Sequence, residues 1–322
     1  MKVEEKVWLI IASALVLCGL MAFVILMSIN GWDFTKLSTE KMQTKEYTLS
    51  QNFNDVSIDT KAVDITFVKA DDGIVKVVCY EKVNMAHTVT AQDGVLTVTM
   101  VNTKKWYQYI GISFHTPTLT VYLPESQYTH LKIKNSTGAV EIPQDFSFES
   151  IDVTLSTGKV NTFATTTGQT KIKTTTGSVC VKNANVGALD IVVSTGKVTV
   201  ENVNALGQVN VGVSTGGTFI NALSCQTFIS NGSTGNISLE GVIATQLVDI
   251  KRSTGDVKFT LCDGGQITVK TDTGSVKGSL LSDKIFQANS DTGRVNVPQT
   301  TTGGSCVIET DTGNIFIEIK QQ

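Results

Sequence analysis

The chain has 322 residues, 17% of them charged and 7% aromatic, with 27 glycines, which is length for one large domain or two ordinary ones and ample material for a core. A net charge of -3 and only two arginines, Arg252 and Arg294, exclude the basic footprint that nucleic acid requires. All three histidines, His87, His115 and His130, lie in the first 130 residues, so imidazole catalysis and a histidine zinc cluster are excluded from the larger part of the chain.

Residues 1–6 are a short tail. Val7 to Ile29 is a run of 23 residues without a charge. At about 1.5 Å per helical residue it spans roughly 34 Å, enough to cross a hydrocarbon core of about 30 Å. The run continues into Ser28, Asn30 and Trp32 instead of ending at small residues, which points to an uncleaved signal-anchor rather than a signal peptide. Leu17 in front of Cys18 argues against lipoprotein processing. The lipid bilayer is therefore an expected partner, through residues 7–29. Lys2 and Lys6 on one flank and Lys36, Lys41 and Lys45 on the other do not decide orientation. A six-residue tail holds no domain, and long domains translocate largely regardless of flanking charge, so the expectation is a single-pass cell-membrane protein with a cytoplasmic N-terminus and an extracellular body.

Residues 30–44 are polar and aperiodic and read as a stalk. From 45 to 130 the pattern alternates through Val56 and Ile58, then Val63, Ile65 and Phe67, then Val75 and Val77, with turns at Asp71-Asp72-Gly73 and Gln92-Asp93-Gly94. This segment is the expected β cap over the first rung of a repeat that begins near residue 131. Trp106, Tyr107 and Tyr109, just after Lys104-Lys105, are a candidate contact surface, with sheet packing as the other reading.

Residues 131–319 are dominated by that repeat. Thr137-Gly138, Thr157-Gly158, Thr176-Gly177, Thr195-Gly196, Thr215-Gly216, Thr234-Gly235, Thr254-Gly255, Thr273-Gly274, Thr292-Gly293 and Thr312-Gly313 recur at spacings of 19 or 20. Gly168, in Thr165-Thr166-Thr167-Gly168, falls outside this phase. Aligned on the glycine, the positions seven and five before it are apolar in nine of ten rungs, with Thr170 and Ser230 as exceptions. The position two after it is apolar except at Thr218. A period of two on each side of a turn predicts strand, turn, strand. A weaker apolar column seven after the glycine, running from Ala184 to Leu281, predicts a third short side. The fold class is all-β: a parallel β-solenoid, or β-helix, of about ten rungs, behind an N-terminal β cap and one transmembrane helix. At roughly 4.8 Å per rung it makes a rod of roughly 50 Å.

The residue two before each glycine is Ser, Thr or Asp in every rung, which suggests an oxygen closing an ST- or Asx-turn. Asp272-Thr273-Gly274 resembles the aspartic-protease triplet, but the slot accepts Ser, Thr and Asp alike, so it asks for an acceptor and not an acid. Asp272, Asp291 and Asp311, stacked, would repel one another; Lys270, Lys277 and Arg294, or a bound cation, would relieve this. Cys262 and Cys306 sit in apolar columns, and no two of the repeat's cysteines share a column in adjacent rungs, so free thiols are expected.

The stretch Phe53 to Phe67, the Asp-Gly hairpins, Val121-Tyr122-Leu123-Pro124 and the reiterated Thr-Gly-x-Val resemble the bacterial putative-adhesin family of β-strand-repeat proteins over roughly residues 47–319. The resemblance implies a surface solenoid of undefined biochemical role and brings no catalytic residues and no cofactor. A non-catalytic binding or structural module with an unknown surface ligand is the first expectation. A bactofilin-like scaffold or envelope-sensing element is the alternative, with end-to-end self-association through the strand edges of the last rung, guarded by Glu318 and Lys320. A carbohydrate-active enzyme ranks last, because rungs of 19 or 20 residues leave no insertions to wall a cleft.

Overall fold

The computed structural model describes residues 3–34, 40–106 and 115–320. An uncharged run of Leu, Ile, Val, Ala and Met has no partner to pack against except itself or lipid, and it forms α1 (Val3–Ile29). Lys6–Ile29 of this helix is long and apolar enough to cross a membrane, and apart from Met27 its side chains are not buried.

The alternating segment after it forms β1 (Met42–Leu49), β2 (Asp55–Asp59), β3 (Asp64–Lys69), β4 (Val75–Lys82), β5 (Met85–Gln92), β6 (Val95–Asn102) and β7 (Thr118–Leu123). Strand structure thus begins at Met42, inside the segment read as stalk. The repeat forms β8 (Gln127–Thr137), β9 (Val140–Ile142), β10 (Ser147–Thr162), β11 (Thr165–Ala205), β12 (Gln208–Thr215), β13 (Thr218–Thr234) and β14 (Ile237–Thr254). It continues as β15 (Val257–Thr273), β16 (Val276–Leu280), β17 (Lys284–Thr292), β18 (Val295–Asn296), β19 (Gly304–Thr312) and β20 (Ile315–Ile319).

From β8 to β15 each turn pairs in parallel with the next, like on like: Ile151 lies on Thr170, Val160 on Val179, Gly158 on Gly177. The columns identified in the sequence become stacks of buried side chains, among them Leu189, Val209, Phe228, Val248 and Ile267. No turn can bury this face alone. Each fully buried Val, Leu or Ile, worth roughly 1.5–3 kcal/mol, owes that burial to the turns above and below.

The two ends depart from sequence order. At the N-terminal end the cap extends the stack: β2 pairs with β8 and β3 with β9, while β6 and β7 pair in parallel with β2 and β3 on their other side. Beyond that level β5 runs antiparallel to β6, β4 antiparallel to β7, and β1 antiparallel to β4. At the C-terminal end β19 and β20 lie on β15 and β16, and β17 and β18 lie on β19 and β20. The last rung in sequence is therefore tucked beneath the one before it. The edge at this end thus includes β17 and β18, while β18 covers only Ile315 and Phe316 of β20, and the expected gatekeepers Glu318 and Lys320 pair with each other at 2.6 Å.

Candidate functional site

The corners decide what a solenoid of fixed turn length shows to solvent, and three corner columns are visible. At the Thr-Gly corner, Gly158 and Gly177 have φ near +146°, a region that favours glycine. A Cβ on Gly177 would also collide with the carbonyl oxygen of Gly158 in the turn below. Glycine is required here twice, for its dihedral and for the close approach of successive backbones.

The expected ST- or Asx-turn does not close this corner. The backbone N–H of Gly216 donates instead to the carbonyl of Thr234 in the next turn at 2.8 Å, and Gly235, Gly255 and Gly274 do the same. The glycine conformation at the corner leaves its N–H facing the neighbouring turn, so no side-chain oxygen is needed two residues earlier. The side-chain acceptors come from the residue after the glycine, and they bond between turns. Asn236 Oδ1 accepts from the Asp256 N–H at 2.9 Å, Asp256 Oδ1 from Ser275 at 2.8 Å, Ser275 Oγ from Asn314 at 3.3 Å and Asn314 Oδ1 from Arg294 at 2.9 Å. The chain of bonds follows the spatial order of the turns and so reports the inversion at the end. Freed from that task, the Ser and Thr side chains of the corner, from Ser136 and Thr137 onward, are exposed along the whole rod.

A second corner lies six residues after the glycine. Asn183, Asn202, Ala222, Gly241 and Leu261 all adopt φ between +50° and +58° there. Beside it runs an open groove of about 370 Å³ that includes Asn183, Asn185, Asn202, Asn204 and Ser224, exposed side chains without a formal charge. Asn202 Nδ2 donates to Asn183 Oδ1 at 2.9 Å, the start of an amide ladder. The third corner is a glycine column that includes Gly168, Gly187, Gly207, Gly265 and Gly304, where Gly187 meets the Gly168 carbonyl and Gly304 that of Gly265. Gly168 thus belongs to a corner of its own, nine residues ahead of the Thr-Gly phase.

The polar exceptions in the apolar columns have partners. Thr170 pairs with Thr166 at 2.8 Å. Thr218 and Ser230 accept from Arg252 Nη2 at 3.3 and 3.1 Å. Arg252 as a residue is only 4% exposed, and its guanidinium occupies the space left by Gly232; burial drops its pKa to about 10. Column counting leaves Arg252 unnoticed, although three small residues in neighbouring turns (Thr218, Ser230 and Gly232) signal that something large fills the gap.

Of the proposed contact residues, Trp106 is 79% exposed, whereas Tyr107 and Tyr109 lie outside the described residues. Asp272, Asp291 and Asp311 are all exposed, and with the inverted end Asp311 lies between the other two. Their carboxylates do not form a group of three with ligand atoms within 4.8 Å of one another; among the described residues that distance is met by Cys79, Glu81 and His87. The buried trio sits at the N-terminal end of the stack. Glu81 Oε2 accepts from the backbone N–H of His87 at 2.5 Å and lies 2.7 Å from His87 Nδ1, and Glu81 Oε1 accepts from Gln43 Nε2 at 3.0 Å. Both carboxylate oxygens are thus taken, and the group reads as a hydrogen-bonded network. The sequence signal for it is Glu81 at an inward position of an otherwise apolar strand. All six thiols are free, and burial pushes Cys79, Cys225 and Cys306 up to about 12.

A family model described as Toastrack DUF4097 matches residues 53–216, just over half of the chain. No curated protein matches. Among solved structures, a putative lipid binding protein from Parabacteroides distasonis ATCC 8503 is 16% identical with a TM-score of 0.52, covering 75% of this chain and 98% of that one. A putative adhesin from Bacteroides fragilis NCTC 9343 is 16% identical with a TM-score of 0.40, over 87% of this chain and 99% of that one. One from Parabacteroides merdae ATCC 43184 is 15% identical with a TM-score of 0.42, over 87% and 98%. At 16% identity the first of these is a likeness of fold.

Proposed function

The chain belongs to the Toastrack DUF4097 family, and from that premise we propose that it is a membrane-anchored, extracytoplasmic, non-catalytic binding module whose contact surface is the regular outer face of the solenoid. The observation that carries this reading is the amide-lined groove at the second corner. Asn183, Asn185, Asn202 and Asn204 offer donors and acceptors together, without formal charge, at the repeat distance of the turns. Such a row matches a neutral, hydroxyl-rich polymer such as a glycan chain, whose own repeat lets successive units meet successive turns. The groove is open and its walls carry no acid, base or nucleophile poised for chemistry, which suits holding a polymer rather than cleaving it.

The test is binding of the detergent-solubilised full chain to immobilised neutral glycans, with Asn185→Ala/Asn204→Ala as the comparison. These two side chains are exposed and stand outside the left-handed positions, so the fold should survive. Binding by the wild type that falls at least about tenfold in the double variant supports the proposal, a loss of roughly 1.4 kcal/mol. Equal binding by both, or none by either, contradicts it.

A second reading, end-to-end assembly, is favoured by one observation. Among the described residues β17 and β18 pair on one side only, and Ile285 and Val295 are exposed there at 47% and 42%. Concentration-dependent oligomers abolished by Ile285→Lys would support this second reading; a monomer at all concentrations would remove it.

A further inference from the structure

At the N-terminal end of the stack, a cavity of about 30 Å³ is lined by Thr60, Lys82, Met85, His87 and Met100 together with two small apolar residues. It exceeds the roughly 10–15 Å³ of probe volume that one water-sized particle needs. His87 and Met85 are two apart on β5 and share a face, and Met100 stands directly opposite His87 in the antiparallel pairing with β6. An imidazole and two thioethers are therefore neighbours by register, all half-buried or buried.

The ring is also oriented. Glu81 Oε2, 2.7 Å from Nδ1, holds the proton on that nitrogen, which leaves the Nε2 lone pair on the opposite edge. Nε2 lies 2.9 Å from the hydroxyl of Thr60, itself a wall of the cavity, so an ion bound at Nε2 takes the place of that one hydrogen bond. A carboxylate behind an imidazole is the usual support for a metal-ligating histidine. The one cation in the wall, Lys82, is engaged by Glu40.

We propose that His87 Nε2, Met85 Sδ and Met100 Sδ form a binding site for a soft monovalent metal ion, Cu(I) or its analogue Ag(I). Two thioethers and one imidazole give an uncharged set of the softness that Cu(I) selects, and a poor set for Mg²⁺ or Ca²⁺. This site shares no residue with the glycan groove, which starts on β11, separated from β6 by β2, β8 and β10.

The test is an anaerobic titration of the full chain in detergent with Cu(I) against a chromophoric Cu(I) chelator. Met85→Leu/Met100→Leu, which keeps side-chain volume, and Cys79→Ser serve as variants, each checked by thermal melting. The expected result is one Cu(I) held by the wild type and by Cys79→Ser, and an affinity about 10–100-fold lower in the methionine pair. His87→Gln should lose binding similarly. Equal affinity in the wild type and the methionine pair would overturn the proposal, as would binding that disappears only with Cys79, since the ion would then lie on the other edge of the ring. Should His87→Gln fail to fold, the methionine pair decides alone, because leucine neither removes volume nor breaks the Glu81 network.

Discussion

Two corner positions with positive φ can respond in opposite directions to an exchange of glycine and alanine. Ala222 occupies the left-handed column at φ +50°, where Asn202 and Gly241 are at ease and a Cβ is strained. Ala222 is exposed, so Ala222→Gly removes strain without removing packing and should stabilise the protein by about 0.5–1 kcal/mol, read as a higher melting temperature. Gly158→Ala should do the reverse, by on the order of 3 kcal/mol, because its Cβ meets the backbone of the neighbouring turn. The thiols give a second residue-scale prediction. Cys79, Cys225 and Cys306 are buried and lifted to about 12, so they should resist alkylation at pH 8 in the folded chain. Cys180 is half-exposed and should react first among the thiols outside α1; uniform labelling of the native protein would show that the core opens far more readily than its packing suggests.

At the scale of elements, the inverted C-terminal order is held by a staple. Lys284, buried on β17, reaches past Gly304 of the intervening level to Asp263 at 2.6 Å, while Ser282 bonds both. Burial would raise the Asp263 carboxyl, but the hydrogen bonds from Lys284 and Ser282 outweigh it and leave the pKa lowered. A carboxyl lowered in the folded state contributes stability above its unfolded value near 3.9, and the contribution fades as pH falls through the folded value. Lys284→Met should therefore cost about 2–3 kcal/mol at pH 7, below the range for a fully buried pair because Asp263 is partly exposed. The difference from wild type should shrink below about pH 4, measured by urea unfolding across pH. Hydrogen exchange should then accelerate first in residues 284–296; acceleration confined to the cap would contradict the staple.

The same end shows how far the sequence was legible. Thr-Gly spacing and the apolar columns disclose the turn, its strands and its buried side chains, because each position repeats its own physical task ten times. They do not disclose which turn lies on which, since every rung offers the same columns to any other. That information sits in single residues, such as Lys284 reaching Asp263 across the intervening level and Asn314 bonding Arg294, and a periodicity cannot contain it. The left-handed column was hidden for the opposite reason: Ala222 and Leu261 occupy it against their preference and dilute the Asn and Gly signal. The Glu81–His87 network and the cavity beside it needed the pairing of β5 with β6, which alternation alone does not fix.

At the scale of the whole molecule, length is spent on repetition. Turns of nearly constant size give an uninterrupted core and an outer surface of aligned hydroxyls and amides, with the apolar helix α1 at one end of the chain. The surface suits contact with something that itself repeats, and the helix suits a fixed attachment to a bilayer. The binding reading requires the body to lie on the outer side of the membrane. The direct measurement is labelling of intact cells, or of spheroplasts, with a membrane-impermeant amine reagent, followed by mapping of the modified lysines. The account predicts modification of exposed solenoid lysines such as Lys159, Lys258 and Lys277 before lysis. Labelling of those lysines only after the cells are broken would contradict it.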